Sequence, residues 1–346
     1  MTRTIRRSVL AALLAAAAPL LLGATPAPAT PPPAPATTPA PAGETGTPPV
    51  GVVPFIEPFD LDATRRMAVQ VMIGGKGPFS FLVDTGAERT VIARELADRL
   101  GLVEGEKLRM ATIGGSATVP SYHVAALQMA KLRLAKVNAP AFHGRHIGAA
   151  GLIGVDMLED RRVLIDFRDQ TMEILETRKR ARPVIRDDDA IVVTARNSAG
   201  RLILSDARLN GRRIDVIVDT GAQTSVGNLA LQRLVAEKRA NRLPFLPTTL
   251  AAVTGENVSA TRTAIKRIVI NGMDINDLPV SFADSQAFRA LGLDERPALL
   301  LGMDSLSLFD RVEIDFPNRR VVFDLPERAH RSAGQRFAAS GGAAGG

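Results

Sequence analysis

Two aspartates stand at equivalent places in the chain, each at the end of a strand-like run and each followed by Thr-Gly-Ala. Asp84 follows the run 79–83, and Asp219 follows the run 214–218. A glycine after the acid lets the chain turn sharply and brings backbone N–H groups close to the carboxylate. Two carboxylates about 3 Å apart cannot both ionise, so such a pair shares one proton over a broad pH range. One member can then accept a proton from water while the other donates one to a carbonyl oxygen, which is the chemistry of metal-free amide hydrolysis.

The two acidic loops belong to an internal repeat. The segment Gly151–Leu158 recurs as Leu299–Leu306, and both contain apolar-apolar-Gly followed by an aspartate two residues later. A strand-like piece follows each copy, at Val163–Phe167 and at Val312–Phe316. The period is longer than that of solenoid or propeller repeats, which indicates a duplicated domain rather than a repeat array.

Each copy has the pattern of a small β domain. The first copy turns through a Gly-rich segment at 74–78, and the second carries the hairpin signal Asn210-Gly211. A short helix is expected after each acidic loop, on the apolar residues Ile92, Leu96 and Leu100 in the first copy and Leu231, Leu234 and Val235 in the second. The sequence therefore predicts an all-β protein of two lobes, joined by the charged segment Arg178–Asp189.

The two ends of the chain have a different composition from the lobes. Arg3, Arg6 and Arg7 precede an apolar stretch that is shorter than the about 20 residues a membrane-spanning helix needs. We expect a signal peptide and a periplasmic or secreted protein; a membrane anchor remains the alternative if the signal is not cleaved. The expected organisation is a signal peptide at 1–29, a Pro/Ala/Thr-rich linker at 30–50, lobes at 51–180 and 190–326, and a disordered tail at 327–346.

The amino-acid composition excludes some classes of function and argues against others. The chain has no cysteine, so thiol chemistry and thiolate metal sites are excluded. The net charge is +7, but aromatic residues make up only 4% and do not alternate with basic ones, so we expect no nucleic-acid partner. His143 and His146 lie near no cluster of acidic residues in the sequence, which favours a surface loop over a metal site. We expect no metal and no other cofactor.

The paired Asp-Thr-Gly-Ala loops and the downstream segments Leu152-Ile153-Gly154 and Leu300-Leu301-Gly302 resemble those of the retropepsin-like aspartic peptidases, in the tandem single-chain form of exported bacterial proteins, and more distantly those of the two-lobed pepsins. The resemblance covers about residues 50–325. It implies two acid-protease β-barrel lobes with a catalytic cleft between them. It also implies that Asp84 and Asp219 are the catalytic pair. The residues that support the loops would be Thr85, Gly86, Ala87, Thr220, Gly221 and Ala222, with the two threonines bracing the loops against each other.

The family also closes its cleft with β-hairpin flaps. The matching Gly-rich segments imply flap or substrate-binding roles for Ile113, Gly114 and Gly115 in the first copy and for Thr254 and Gly255 in the second. Tyr122, the only tyrosine, is expected on the return strand of the first flap. Pepsin-like loops commonly carry a hydroxyl residue where this chain has Ala87 and Ala222. Its absence predicts a pair that titrates at higher pH, with an optimum in the mildly acidic range.

The expected function is an aspartic endopeptidase that acts on exported or envelope proteins, as a monomer that is not stably inserted in a membrane after signal cleavage. Two alternatives stay open. In the first, two chains assemble a homodimeric peptidase with intermolecular active sites. In the second, the cleft belongs to a non-catalytic pseudopeptidase that binds peptides without cleaving them.

Overall fold

The computed structural model describes residues 9–10, 55–58, 60–61, 66–129, 132–185, 190–198, 200–237 and 243–326. These residues form mostly β-strands with a few short helices. Strands that precede the lobes are β1 (Val9–Leu10), β2 (Phe55–Pro58) and β3 (Asp60–Leu61). The N-terminal lobe contains β4 (Met67–Ile73), β5 (Lys76–Val83), β6 (Val91–Ala93), α1 (Arg94–Leu100), β7 (Val103–Glu104), β8 (Leu108–Thr112), β9 (Gly115–Val119), β10 (Ser121–Met129), β11 (Leu132–Phe142), α2 (Gly144–Ile147), β12 (Gly151–Ile153), a 3-10 turn (Val155–Met157), β13 (Arg161–Asp166) and β14 (Thr171–Glu176).

The C-terminal lobe repeats this order. It contains β15 (Ile191–Ser198), β16 (Arg201–Leu209), β17 (Arg212–Val218), β18 (Val226–Gly227), α3 (Leu229–Ala236), β19 (Leu246–Ala251), β20 (Asn257–Ile270), β21 (Met273–Phe282), α4 (Gln286–Ala290), β22 (Ala298–Leu301), α5 (Met303–Leu306), β23 (Arg311–Asp315) and β24 (Arg320–Asp324).

Each lobe is built on a closed barrel of six strands. In the N-terminal lobe the order is β4-β5-β12-β6-β11-β10, and the pairing of β10 with β4 closes the barrel at Leu127 opposite Ile73. In the C-terminal lobe the corresponding order is β16-β17-β22-β18-β21-β20, closed at Ala207 opposite Ile270. Inward-facing apolar side chains fill the two barrels, and most of them are fully buried. The predicted all-β fold with two duplicated lobes is confirmed.

A six-stranded sheet joins the lobes in the order β2-β14-β13-β23-β24-β15. Strands β13 and β23 meet at its centre, antiparallel, with Leu164 opposite Glu313. These are the two strand-like pieces that follow the repeated apolar-apolar-Gly segments in the sequence. Each lobe contributes its last two strands, so the sheet ties the two copies together in one chain.

A network of buried charged side chains holds the segment that connects the lobes against this sheet. Glu313 and Asp315 are fully buried and lie beside Arg162, whose Nη2 donates to Asp315 Oδ2 at 2.9 Å. Glu313 Oε2 also accepts from the backbone N–H groups of Val184 and Ile185, at 2.7 and 3.0 Å. Buried charges are tolerated only when they are paired and hydrogen-bonded. The described part of the connector therefore packs against the sheet.

The backbone conformations of the turns agree with the residues that form them. Asn210 and Gly211 have φ of +55° and +82°, as the predicted two-residue hairpin requires. Helix α1 ends at Leu100, and Gly101 caps it with φ of +66°. The prediction for this helix was wrong at its start, because Ile92 lies in β6, where its side chain joins the barrel core.

The expected linker at 30–50 and tail at 327–346 lie outside the described residues. So does the expected signal peptide at 1–29, apart from β1, whose Val9 pairs in parallel with Met110 of β8. Among the residues the structure describes, no helix is long and apolar enough to cross a bilayer.

Candidate active site

The two Asp-Thr-Gly loops begin at the ends of corresponding barrel strands. Asp84 follows β5, and Asp219 follows β17. Each of these strands lies parallel to a short neighbour, β12 or β22, which carries the apolar-apolar-Gly segment. The N–H of Asp84 donates to Ile153 O at 2.9 Å, and that of Asp219 donates to Leu301 O at 3.1 Å. The repeated segments thus support the loops from the side.

The glycines of the loops allow the two carboxyl groups to lie side by side. A Cβ added to Gly86 would lie 2.5 Å from Asp219 Cγ, and one added to Gly221 would lie 2.2 Å from Asp84 Cγ. No side-chain carbon fits at these distances, so only glycine permits this approach. Each loop therefore packs its glycine against the acid of the other lobe, and the structure brings Asp84 and Asp219 together in one site.

The two threonines brace the loops against each other. Thr85 Oγ1 donates to Val218 O at 2.9 Å and accepts from the N–H of Thr220 at 3.1 Å. Thr220 Oγ1 donates to Val83 O at 2.8 Å and accepts from the N–H of Thr85 at 3.1 Å. All four bonds cross between the lobes, and both threonines are buried. The bracing implied by the resemblance is present.

Backbone N–H groups orient both carboxyl groups. Asp84 Oδ1 accepts from the N–H of Gly86 at 2.9 Å. Asp219 Oδ1 accepts from the N–H groups of Gly221 and Ala222 at 3.0 and 3.1 Å. The other oxygen of each acid, Oδ2, is buried and accepts no hydrogen bond from the described residues. Each acid is thus held in place through its Oδ1 atom.

Burial raises the pKa values of both acids. Both side chains are fully inaccessible to solvent. Burial raises the pKa of Asp84 from 3.8 to about 6, although the charge of Arg201 and the N–H groups of Gly86 and Ala87 act in the opposite direction. Burial also raises the pKa of Asp219 well above 3.8, and the neighbouring charge of Asp84 raises it further. Burial and the mutual repulsion of the two charges therefore favour a pair that shares a single proton.

A second pair of acids stabilises the loops from beneath. Asp156 accepts from the N–H and the hydroxyl of Thr90, and Asp304 accepts in the same way from Ser225. The two hydroxyl oxygens in turn accept from the N–H groups of Gly154 and Gly302, each at 3.1 Å. Thr90 and Ser225 both lie six residues after the aspartate of their loop. These contacts indicate a structural role for Asp156 and Asp304.

Two β-hairpins, one from each lobe, meet at their tips. Ile113 and Gly114 form the turn between β8 and β9, and Gly115 begins β9; Thr254 and Gly255 lie in the turn between β19 and β20. A Cβ added to Gly114 would lie 2.9 Å from Ala252 Cβ, so the hairpin tips touch. We call these hairpins flap 1 and flap 2.

Each flap packs against the opposite lobe. Ile113 of flap 1 is buried in a cluster that includes Phe288 of the C-terminal lobe. On flap 2, Gly255 lies against the ring of His146 of the N-terminal lobe, where an added Cβ would be 2.2 Å from Cε1. Both flaps thus cross between the lobes.

Two residues differ from their sequence-based placement. Tyr122 lies in β10 and not on the return strand of flap 1, and its hydroxyl donates to Asp98 on α1 at 3.2 Å. His146 faces flap 2 and is not simply part of a surface loop. Within the described residues, no three His, Cys, Asp or Glu side chains are grouped to hold a metal ion.

Sequence reasoning missed two buried arginines. Arg201 is fully buried, and its Nε donates to Gly86 O in the loop of the other lobe. Arg66 is also buried, but its Nη2 donates to Ile147 O within its own lobe at 3.0 Å. Each arginine stands 18 residues before the aspartate of its own copy. This equal spacing was the feature of the sequence that could have pointed to the two arginines.

Comparison with known proteins matches each half of the chain to a model of an aspartyl protease family. Residues 69–160 match the model of the gag-polyprotein putative aspartyl protease family, and residues 205–305 match the model of an aspartyl protease family. Among curated proteins the comparison finds no match. A crystal structure of a retropepsin-like aspartic protease from Rickettsia conorii is similar at 26% identity, covering 39% of this chain and 90% of that chain, with a TM-score of 0.29. The family matches support aspartic peptidase activity. With both matched regions built as closed barrels around an Asp-Thr-Gly loop, the chain is a two-lobed retropepsin-like protein with two aspartyl protease domains in tandem.

Proposed function

We propose that this protein is an aspartic endopeptidase in which Asp84 and Asp219 form one catalytic dyad. The observation that carries the proposal is the contact of each loop glycine with the acid of the other lobe. That contact joins one acid from each lobe into a single buried pair. A binding protein needs neither two buried acids nor the threonine bracing that holds them in register.

The chemistry follows from a pair that holds one proton. The ionised carboxylate accepts a proton from a water molecule as the water oxygen attacks the carbonyl carbon of a peptide bond. The protonated carboxyl donates its proton to the carbonyl oxygen, which gives a tetrahedral diol. The dyad still holds one proton, now on the other acid. When the diol collapses, that acid donates its proton to the amide nitrogen as the C–N bond breaks, and the other carboxylate takes a proton from a diol hydroxyl, which restores the starting state. The Oδ2 atoms suit both transfers because the Oδ1 atoms are held by backbone N–H groups.

The expected substrate is an extended polypeptide with apolar side chains near the scissile bond. Ile113 and Val253, at the tips of the two flaps, are apolar and buried against the lobes they cross. A substrate has to displace these side chains to reach the dyad, and apolar substrate side chains can replace their contacts. The flaps must therefore open before a peptide binds.

Cleavage of a diverse peptide mixture tests the proposal. Purified protein should generate new peptide termini, identified by mass spectrometry, and an Asp84→Asn variant should generate none. Asparagine keeps the oxygen that accepts from the Gly86 N–H, so the variant is a matched control for folding. Peptide binding without cleavage in both proteins would contradict the proposal and support the pseudopeptidase alternative.

We further propose that the protein acts outside the cytoplasm on exported or envelope proteins. The support is the basic and apolar start of the chain followed by the Pro/Ala/Thr-rich segment. Cell fractionation with N-terminal sequencing should find mature protein in the periplasm or medium, starting near residue 30. Full-length protein recovered from the membrane fraction would contradict this and support an anchor.

A further inference from the structure

The two copies contain a buried arginine at the same distance from their aspartates, but they use it differently. Arg66 precedes Asp84 by 18 residues, and Arg201 precedes Asp219 by 18 residues. The exposed fractions of the two arginines are 3% and 0%. A buried guanidinium is costly unless it is hydrogen-bonded and faces negative charge. The partners of these two side chains are therefore informative.

The difference lies in which lobe the guanidinium reaches. Arg66 donates to Ile147 O, in the N-terminal lobe to which it belongs. Arg201 begins β16 of the C-terminal lobe and donates to Gly86 O, inside the Asp84 loop of the N-terminal lobe. The hydrogen bond of Arg201 thus reaches an Asp-Thr-Gly loop, and that loop belongs to the other copy.

A close contact between lobes positions Arg201. The preceding residue, Gly200, has φ of +81°, and a Cβ there would lie 2.9 Å from Val155 Cγ1. Val155 is the residue after Gly154 in the segment that supports the Asp84 loop. The turn between β15 and β16 therefore rests on the N-terminal lobe beside that loop. This contact directs Arg201 toward Gly86.

The charges around Arg201 are unequal between the two loops. The charged groups that act most strongly on it are Asp84, then Glu88, then Asp219. Glu88 lies four residues after Asp84, and the corresponding position after Asp219 is Gln223, which carries no charge. The positive charge thus lies on the Asp84 side of a pair that is otherwise close to symmetric.

We propose that Arg201 is a positioning residue whose charge makes Asp84 the ionised member of the dyad and Asp219 the protonated one. This assignment rests on the proposed function. Asp84 then accepts the proton from water, and Asp219 donates to the substrate carbonyl. The pKa values agree in direction: burial raises both, the charge of Arg201 lowers both, and the charge of Asp84 raises that of Asp219 further. The arginine of one lobe therefore sets the role of the acid in the other lobe.

The pH dependence of kcat/KM, measured with a peptide that has no titratable groups, tests the proposal. Arg201→Gln keeps a donor for Gly86 O but removes the charge, so the ascending limb should move to higher pH by about one unit or more. Arg201→Lys, which restores the charge, should bring the limb back toward the wild-type position. The matched control is Arg66→Gln, which should leave the limb in place. An unmoved limb in Arg201→Gln, or an equal shift in Arg66→Gln, would overturn the proposal.

Glu88→Gln provides an independent variant should Arg201→Gln not fold. It gives the first loop the uncharged residue of the second loop and strengthens the effect of Arg201 on Asp84. The ascending limb should then move to lower pH; no movement, or movement upward, would overturn the proposal.

Carbon-13 shifts of the carboxyl groups in wild-type and Arg201→Gln protein give a readout that needs no peptidase activity. Asp84 should lose its proton before Asp219, and the substitution should raise the pH at which it does so. Asp219 ionising first would overturn the assignment. The expected order in a protein that cleaves no peptide would support the role of Arg201 and contradict only the proposed function.

Discussion

The two lobes make the same contacts where they hold the two acids, and they differ in the residues around this pair. Both copies have a loop glycine that contacts the opposite acid, a threonine that bonds to the opposite strand and a hydroxyl–aspartate support beneath the loop. They differ in the reach of the buried arginine, in Glu88 against Gln223 and in the residues at the flap tips. In the mechanism that we propose, the shared parts build the dyad and the buried arginine with its neighbouring charge gives the two acids separate roles.

The largest expected effect comes from removing either acid. Asp84→Asn and Asp219→Asn should each lower kcat by on the order of 1000-fold or more, because one dyad needs both groups. The double variant should be no worse than either single variant. Steady-state kinetics on one peptide, with circular dichroism to verify folding, measure this. Substantial activity in either single variant would mean that the lobes work separately.

Removing the threonine bracing should have the next largest effect, and it should act on stability. Thr85→Ala leaves Val218 O and the N–H of Thr220 without their buried partner, and should lower the free energy of unfolding by about 2 to 4 kcal/mol. Thr220→Ala should cost a similar amount, since its bonds mirror those of Thr85. Urea unfolding measures both, and Thr→Ser at each position is the control that keeps the hydroxyl. A large cost in one lobe only would show that the bracing is not shared equally.

The acids themselves should limit stability at neutral pH. The folded pKa of Asp84 is raised, so the folded state favours the protonated form, and stability falls as pH rises from about 4 through about 6. Asp84→Asn removes the contribution of Asp84 to this dependence. The variant should be more stable than wild type by about 3 kcal/mol at neutral pH, and the difference should vanish below about pH 4. Thermal unfolding over this pH range measures it; a less stable variant at neutral pH would contradict the raised pKa.

The smallest expected effect is a shift in the pH profile on restoring a hydroxyl. Ala87→Ser supplies a donor to ionised Asp84 and should move the ascending limb of kcat/KM to lower pH by about half a unit to one unit. Ala222→Ser should move the descending limb in the same direction through Asp219. Each single variant thus moves only the limb that depends on the acid of its own lobe. If both limbs stay in place, other donors set the acidity of the pair.

The repeated parts of the site could be predicted from the sequence because they are local. Asp-Thr-Gly-Ala and apolar-apolar-Gly are short segments whose residue types already specify a turn, a strand and a close approach. The positive φ at Asn210 and Gly211 follows from two residues alone.

What could not be predicted depends on which distant elements meet. The strands β13 and β23 were visible as strand-like pieces, but an alternating apolar pattern does not say that they pair with each other across the lobes. Arg201 is a single basic residue in a basic chain, and its burial against Gly86 depends on how the β15–β16 turn meets Val155. Comparing equivalent positions of the two copies would have drawn attention to it.

The central claim is that one chain holds one complete dyad, and mixing the two single-acid variants tests it most directly. Asp84→Asn and Asp219→Asn proteins are assayed separately and then as an equimolar mixture, beside wild-type protein over a wide range of concentration. The account predicts that the mixture is as inactive as its components and that wild-type specific activity is unchanged on dilution. Restored activity in the mixture, or a steep loss of wild-type activity on dilution, would contradict it and support active sites shared between two chains.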